Sequence, residues 1–290
     1  MPLAKKKTDL GAIRLKDSRQ LSLTGTVVMG VLNVTPDSFS DGGNFENTDR
    51  AISRALEMEK QGADIIDIGG ESTRPGATGV SVEDETERVI PVIDGLRRKT
   101  RIPISIDTYK SEVAAAALDH GADIVNDVSA LRFDSKMASL VSSRGVPVIL
   151  MHMLGTPLTM QKEPRYDNCV KEIADFFEER LQLCETVGIS GDRIILDPGI
   201  GFGKRLSDNI EVLARLAEFK RFGVPLLVGT SRKSFIGMLH DKDAPAHRRL
   251  GGSIASMVAA ILNGANIVRV HDVAESVEAI KIISAIREGV

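Results

Sequence analysis

The residues of this chain best equipped for chemistry come in small groups, each at the end of a short apolar run. The first run ends in Asn33, followed by Thr35-Pro36-Asp37-Ser38-Phe39-Ser40-Asp41-Gly42-Gly43. The second leads into Gly69-Gly70-Glu71-Ser72-Thr73-Arg74-Pro75-Gly76. The third ends in Asp107, the fourth in Asn126 and Asp127, and the fifth runs into His152. The sixth ends Asp197-Pro198-Gly199-Ile200-Gly201-Phe202-Gly203-Lys204. The seventh is followed by Thr230-Ser231-Arg232-Lys233-Ser234, and the eighth carries Arg269 and then His271-Asp272.

These groups suggest distinct tasks. Arg269 and His271 are two apart on one run, so on a strand they share a face. Together they form a clamp for phosphate oxygens, unless Arg269 is spent on a barrel carboxylate as a structural bridge. Asn33 offers a neutral oxygen of the kind Mg²⁺ accepts beside water and substrate phosphate, or it is simply a strand-end turn residue. Asp107, Asn126 and Asp197, facing one axis, suit a flat heterocycle bearing N–H groups, although buried carboxylates also pair with Lys or Arg. Lys233 is open to a Schiff base, if its pKa is lowered, or to a hydrogen bond with a ring carbonyl. The Gly199–Lys204 run is not a nucleotide phosphate loop, because Pro198 stands at the first required glycine and Arg205 at the Ser/Thr position; it reads as a flexible loop. Phe39 and Pro75 are apolar pieces in two long Gly/Ser/Pro/Asp-rich loops, which are either lids or plain surface loops.

The elements that must position these residues follow from the apolar runs themselves. They span roughly Val27–Val34, Asp64–Ile68, Pro103–Asp107, Asp123–Asp127, Pro147–Met151, Arg193–Asp197, Pro225–Gly229 and Asn266–Val270. They are continuous rather than alternating, the mark of parallel strands buried on both faces. Helical spacing fills Glu83–Arg98, Ser111–His120, Asp167–Val187, Ser207–Phe222 and Ala274–Arg287, and Ser81 with Asp84 reads as a cap. Gly62-Ala63-Asp64, Gly121-Ala122-Asp123 and Gly264-Ala265-Asn266 open three strands, and Pro103, Pro147 and Pro225 open three others. Eight strand–helix units predict an α/β fold, a single-domain (β/α)8 TIM barrel. An open doubly wound sheet is disfavoured because no Gly-x-Gly-x-x-Gly follows the first strand. In such a barrel the C-terminal strand ends share one face, so all of the groups above converge on one rim.

Bulk properties narrow the classes further. The chain has 290 residues, with 42% hydrophobic and 27% charged, ordinary for a globular protein. Its formal net charge of -3 gives no basic field for nucleic acid or an anionic membrane, so any anion must be held locally. Cys169 and Cys184 fall on one helical stretch, about 22 Å apart at 1.5 Å per residue, too far for a disulfide. They read as buried apolar fillers in a reducing, cytoplasmic setting. The basic N-terminus has no signal-peptide core, and residues 1–25 are expected to be a partly flexible extension before a barrel over 26–290. His120, His240 and His247 carry no ligand spacing and read as surface residues. Ser253–Leu262 is small and apolar around most of its circumference, which calls for a cover beyond the barrel itself.

As a set, the motifs resemble the dihydropteroate synthases. Met29–Gly43 resembles the first signature of that family and Gly69–Gly76 the second. Further matches are Ser105–Thr108, Asn126–Ser129, Met151–Met153, Asp197–Lys204, Ser231–Ser234 and Arg269–Asp272. The resemblance runs from Thr26 to the C-terminus and shows no departure at a functional position. It implies a transferase that joins (7,8-dihydropterin-6-yl)methyl diphosphate to 4-aminobenzoate, giving 7,8-dihydropteroate and diphosphate in tetrahydrofolate biosynthesis, and a target for sulfonamides. It further implies that Asp107, Asn126, Asp197 and Lys233 hold the pterin, and that Thr73, Arg269 and His271 hold the diphosphate. Phe39, Arg74, Pro75, Lys233 and Ser234 would surround the aminobenzoate, Asn33 would help bind Mg²⁺, and Lys233, Asp107, Arg269 and His271 would serve the reaction. A homodimer is also implied. Three other readings compete: a methyltetrahydrofolate-binding corrinoid methyltransferase of the same barrel group, an aldolase using Lys233, and a catalytically silent pterin-binding protein. The first needs no diphosphate clamp, the second a Schiff base, and the third would lack lid or anion residues.

Overall fold

The computed structural model describes residues 11–35, 44–72, 76–77, 79–239 and 245–289. Among these, a short antiparallel hairpin, β1 (Ala12–Arg14) and β2 (Gln20–Ser22), precedes eight parallel strands. The eight are β3 (Val27–Asn33), β4 (Ile65–Gly69), β5 (Ile104–Asp107), β6 (Ile124–Asp127), β7 (Val148–Met151), β8 (Ile194–Asp197), β9 (Leu227–Val228) and β10 (Ile267–Val270). Their order is β8-β7-β6-β5-β4-β3-β10-β9. One further link, Leu196 N–H to Pro225 O at 2.9 Å beside a parallel bridge between Leu196 and Leu226, joins β8 to the start of β9 and closes the ring. The expected TIM barrel is therefore the observed fold.

Helices alternate with the strands: α1 (Asn44–Lys60), α2 (Val82–Arg97), α3 (Ser111–Asp119), α4 (Met137–Arg144), α5 (Cys169–Thr186), α6 (Leu206–Ala214), α7 (Ser234–Leu239), α8 (Leu250–Leu262) and α9 (Val273–Glu288). Ser81 caps α2 by accepting the Asp84 N–H at 3.0 Å. The expected helix over 207–222 is instead two pieces, α6 and a 3-10 turn at Leu216–Phe222. No helix of the described residues is long and apolar enough to cross a membrane. Cys169 and Cys184 are buried and unpaired.

The repeated Gly-Ala-Asp/Asn signal sets the barrel's register. Gly62, Gly121 and Gly264 have φ of +101°, +109° and +107°, values that suit glycine and reverse the chain out of each helix. The third residue then accepts a backbone N–H from the preceding strand segment: Asp64 from Val28 at 2.8 Å, Asp123 from Ile104 at 3.0 Å and Asn266 from Leu226 at 3.0 Å. Each repeat thus ties one strand's start to its neighbour.

Side chains alternate across the barrel wall with the strand period of two. Ile66, Ile68, Ile104, Ile106, Val148, Leu150, Ile194, Leu196, Val268 and Val270 pack into the layer shared with the helices. Ile65, Ile124, Ile149, Ile195, Leu227 and Ile267 form a separate interior cluster with Val27 and Met29. Ile13, Leu15 and Leu23 of the hairpin segment join that interior cluster and close the barrel's N-terminal mouth. The next inward positions, two residues on, are Asp67, Asn126, Met151, Asp197 and Arg269. Apolar filling at one end therefore gives way, within about 7 Å of strand, to polar and charged groups at the other.

Candidate active site

Arg269, on β10, is the hub of this polar layer. Its Nε donates to Asp67 Oδ2 at 2.6 Å, and its Nη2 donates to Asp107 Oδ2 at 2.7 Å. Asn126 Nδ2 donates to the same Asp67 oxygen at 3.1 Å. Groups on β4, β5, β6 and β10 thus form one network across the barrel. Although burial opposes the guanidinium's charge, Asp67 and Asp107 raise its pKa, so it remains a cation. Three of its five N–H groups stay outside these two bonds.

The same network leaves acceptors open. Asp67 Oδ1, Asp107 Oδ1 and Ser105 Oγ are buried without a partner among the described residues. Unpaired buried polar atoms are costly and rare. Asp67 Oδ1 and Asp107 Oδ1 belong to the polar layer, which therefore offers acceptors that a ligand's donors could meet. Burial pushes the Asp107 carboxyl upward, against the pull of Arg269. Burial likewise raises Asp197, whose Oδ1 accepts the Gly199 N–H at 2.7 Å.

Lys233 stands in the turn after β9, with Nζ 3.9 Å from the centroid of the Phe202 ring. Burial pushes its pKa down to about 8, helped by Arg269 and resisted by Asp197 and Asp107. Phe202 packs with Met151, Met153, Met160, Val128 and Tyr109 in a small apolar cluster of its own. An apolar wall beside a layer of amide and carboxylate groups can hold a flat, hydrogen-bonding ring.

The glycine-rich segment after β8 is not the flexible loop expected from its composition. Lys204 is buried, and its Nζ donates to Gly199 O at 2.9 Å and Phe202 O at 3.2 Å. Nζ also lies 2.9 Å from His152 Nδ1. A Cβ at Gly199 would stand 1.9 Å from His152 O, so only glycine fits there. Two bonds to carbonyls, a contact with the His152 ring and close backbone contact outweigh the flexibility that three glycines suggest. His152 is accordingly part of this internal support, its pKa held well below the ordinary range by burial and then by Lys204.

His271 and Asp272 follow β10 and meet the turn after β9. His271 Nδ1 lies 3.0 Å from Ser231 Oγ, and Arg232 Nε donates to Asp272 Oδ2 at 3.1 Å. Burial first, then Arg269 and Arg232, push the His271 pKa down to about 3, so the ring is neutral. Asn33 ends β3 beside Gly69, with its side chain partly exposed and without a partner among the described residues. Ser234 is exposed at the start of α7. Phe39, Thr73, Arg74 and Pro75 lie outside the described residues.

Two features escaped sequence reasoning. Asp67 is the central acceptor of the network, and its signal was a lone carboxylate inside the run Ile65-Ile66-Asp67-Ile68. The base of the second long loop is also anchored: Glu71 accepts Tyr109 OH at 2.8 Å and Val80 N–H at 3.4 Å, and Lys110 bridges Glu71 and Glu85.

The profile of the pterin binding enzyme family matches residues 29–271, which include every strand of the barrel except the first two residues of β3. Dihydropteroate synthase of Escherichia coli K12 is 49% identical over 265 residues, covering 91% of this chain and 93% of that protein. This chain belongs to the dihydropteroate synthase family. Among solved structures, dihydropteroate synthase of Xanthomonas albilineans with 4-aminobenzoic acid matches with a TM-score of 0.89 and 44% identity, covering 96% of this chain and 98% of that one. The same organism's enzyme in complex with 7,8-dihydropteroate matches at a TM-score of 0.85 and 41% identity, covering 95% and 98%. The Yersinia pestis enzyme in a sulfonamide drug complex gives a TM-score of 0.89 at 44% identity, covering 96% and 99%. The sequence resemblance to this family is thereby borne out.

Proposed function

We propose that this chain is a transferase that condenses (7,8-dihydropterin-6-yl)methyl diphosphate with 4-aminobenzoate to give 7,8-dihydropteroate and diphosphate. The observation that carries the reading is the inward polar layer on β4, β5, β6, β8 and β10, with unpaired carboxylate oxygens beside an apolar wall. The family's ligands fit that chemistry, since Xanthomonas albilineans relatives hold 4-aminobenzoic acid and 7,8-dihydropteroate.

In this reading Asp107, Asn126 and Asp197 accept and donate hydrogen bonds along the pterin edge, and Lys233 donates to the ring carbonyl. The methylene C–O bond breaks and its electron pair leaves on the diphosphate. Arg269, through its remaining N–H groups, and neutral His271 stabilise that charge from fixed positions, with Thr73 as a third contact. The arylamine nitrogen then bonds the methylene carbon and releases a proton to solvent. Phe39, Arg74, Pro75, Lys233 and Ser234 hold the arylamine and keep it aligned. No covalent bond to the protein is needed, so Lys233 acts as a donor rather than a Schiff base.

We propose Mg²⁺ as the cofactor. No group of three His, Cys, Asp or Glu able to hold a metal converges among the described residues. Asn33, whose side chain has no partner among the described residues, would help hold Mg²⁺, and the ion would supply positive charge to neutralise the departing diphosphate. We further propose a homodimer through α6, α7 and α8. These helices border a cleft of about 690 Å³, lined by Ile210, Leu213, Phe235, Ile236, Ala255 and Ala259. A cytoplasmic location accords with the two unpaired buried thiols.

Calorimetry tests the reading and its order. Pterin diphosphate should bind the free protein only with Mg²⁺ present, and 4-aminobenzoate should bind only after it. Equal aminobenzoate affinity with and without the first ligand would overturn the order. Failure to form dihydropteroate from both substrates would overturn the function.

A further inference from the structure

The contact between Ser231 and His271 has hydrogen-bond arithmetic that identifies a protonation state. A serine hydroxyl has one hydrogen and two acceptor sites. The His271 backbone N–H donates to Ser231 Oγ at 3.2 Å and fills one acceptor site. The same Oγ lies 3.0 Å from His271 Nδ1. Ser231 is buried, and among the described residues its hydroxyl hydrogen has no other acceptor. If Nδ1 carried a proton, Oγ would face two N–H donors and its own hydrogen would be stranded, an unfavourable state for a buried group. If Nδ1 is bare, it accepts the Ser231 hydrogen, and the hydroxyl hydrogen and the His271 backbone hydrogen both have partners. The imidazole proton then sits on Nε2, which has no partner among the described residues.

The turn that carries Ser231 is held from several sides. Arg232 adopts φ +61°, a left-handed backbone that non-glycine residues avoid. Its N–H donates to Ser253 Oγ at 2.9 Å, its carbonyl accepts Arg249 Nη1 at 3.1 Å, and its guanidinium pairs with Asp272. Strained backbone kept in place by surrounding bonds is a feature of functional sites. Here it fixes the hydroxyl one residue earlier against the ring. The β9 and β10 ends are thus joined by two ties, Ser231 to His271 and Arg232 to Asp272.

We propose that Ser231 is a positioning residue that locks His271 as the Nε2-protonated tautomer, so that Nε2–H is a ready donor for an oxyanion beside Arg269. The part concerning the oxyanion rests on the diphosphate reading above. The ring's neutrality agrees with this arrangement, because burial and two neighbouring arginines disfavour an imidazolium that would need no tautomer selection.

The experiment uses the full chain labelled with nitrogen-15 histidine. Long-range proton–nitrogen spectra report which ring nitrogen is protonated, and His271→Gln identifies the His271 signals. The wild type should show bare Nδ1 and protonated Nε2. Ser231→Ala should give a mixture of tautomers, and Ser231→Thr, which keeps the hydroxyl, should restore the single state. Inorganic diphosphate should bind Ser231→Ala roughly three- to tenfold more weakly than wild type, with recovery in Ser231→Thr. A protonated Nδ1 in the wild type overturns the proposal, even if Ser231→Ala fails to fold. Unchanged His271 signals in Ser231→Ala overturn it equally. Inorganic diphosphate that does not bind the wild type removes the diphosphate reading, while the spectra still decide the role of Ser231.

Discussion

The two mouths of the barrel are built from the same strands by opposite physics. At the N-terminal mouth, Ile65, Ile124, Ile149, Ile195 and Ile267 meet Ile13, Leu15 and Leu23 in a cluster without a charge. Two residues further along, Asp67, Asn126, Asp197 and Arg269 occupy the equivalent inward positions. The first mouth gains stability from apolar area removed from water. The second holds buried charges whose desolvation offsets much of their mutual attraction, and it leaves oxygens unpaired. Apolar filling and open polar acceptors are therefore separated along the strand axis by a single step of the pleat.

The largest effect should come from breaking the charged mouth. Arg269→Ala removes the hydrogen-bonded counter-charge of buried Asp67 and Asp107, and should cost roughly 3–5 kcal/mol of stability as well as turnover. Urea denaturation measures the first and product formation the second. A variant as stable as wild type would mean that the guanidinium is not what holds the two carboxylates.

Damage of nearly that size to the apolar mouth should leave catalysis alone. Ile13 is about 1% exposed, and Ile13→Ala should cost roughly 2–5 kcal/mol. Its steady-state constants, measured well below the new melting temperature, should match wild type. A fall in kcat/KM comparable to the loss of stability would show that the two mouths are coupled.

A milder change sharpens the upper mouth. Under the proposed function, Asp197→Asn keeps the shape but would offer a donor where pterin N–H groups need an acceptor, and should cost on the order of 1–3 kcal/mol in binding. Titration with a pterin lacking the diphosphate isolates the ring contact. Unchanged binding would take Asp197 out of the pterin site.

The smallest effect is a pH dependence with opposite signs for binding and stability. Lys233 is held near 8 against an ordinary 10.5. As pH rises through about 8 the lysine loses its charge, and pterin affinity should decline, with no such inflection in Lys233→Arg. Between 8 and 10.5 the unfolded chain keeps a proton that the folded chain has released, so this residue's contribution to stability rises with pH there. An inflection that persists in Lys233→Arg would assign it elsewhere.

Lys204 and Lys233 show how far the sequence could be read. Both follow apolar strands and both have pKa values pushed down by burial, to about 7 and about 8. Nothing in the local sequence separates them. Lys204 is satisfied by carbonyls and His152, and it stiffens a loop that its glycines had suggested was flexible. Lys233 faces Phe202 and the carboxylate layer. Which role each lysine takes depends on what surrounds its amine in three dimensions.

The strands, their parallel arrangement and the polar rim were all legible in the sequence, because the β period, the glycine and proline punctuation and the polar strand ends are local signals. The same holds for Asp107, Asn126, Asp197, Lys233, Arg269 and His271 as residues of that rim. Only the tertiary structure decided how they pair. Asp67 shares Arg269 and Asn126 across 202 and 59 residues of sequence, respectively, and Ser231 reaches His271 across 40. Such bonds form when barrel closure brings distant strands within hydrogen-bond distance, and neither composition nor spacing along the chain encodes which donor meets which acceptor.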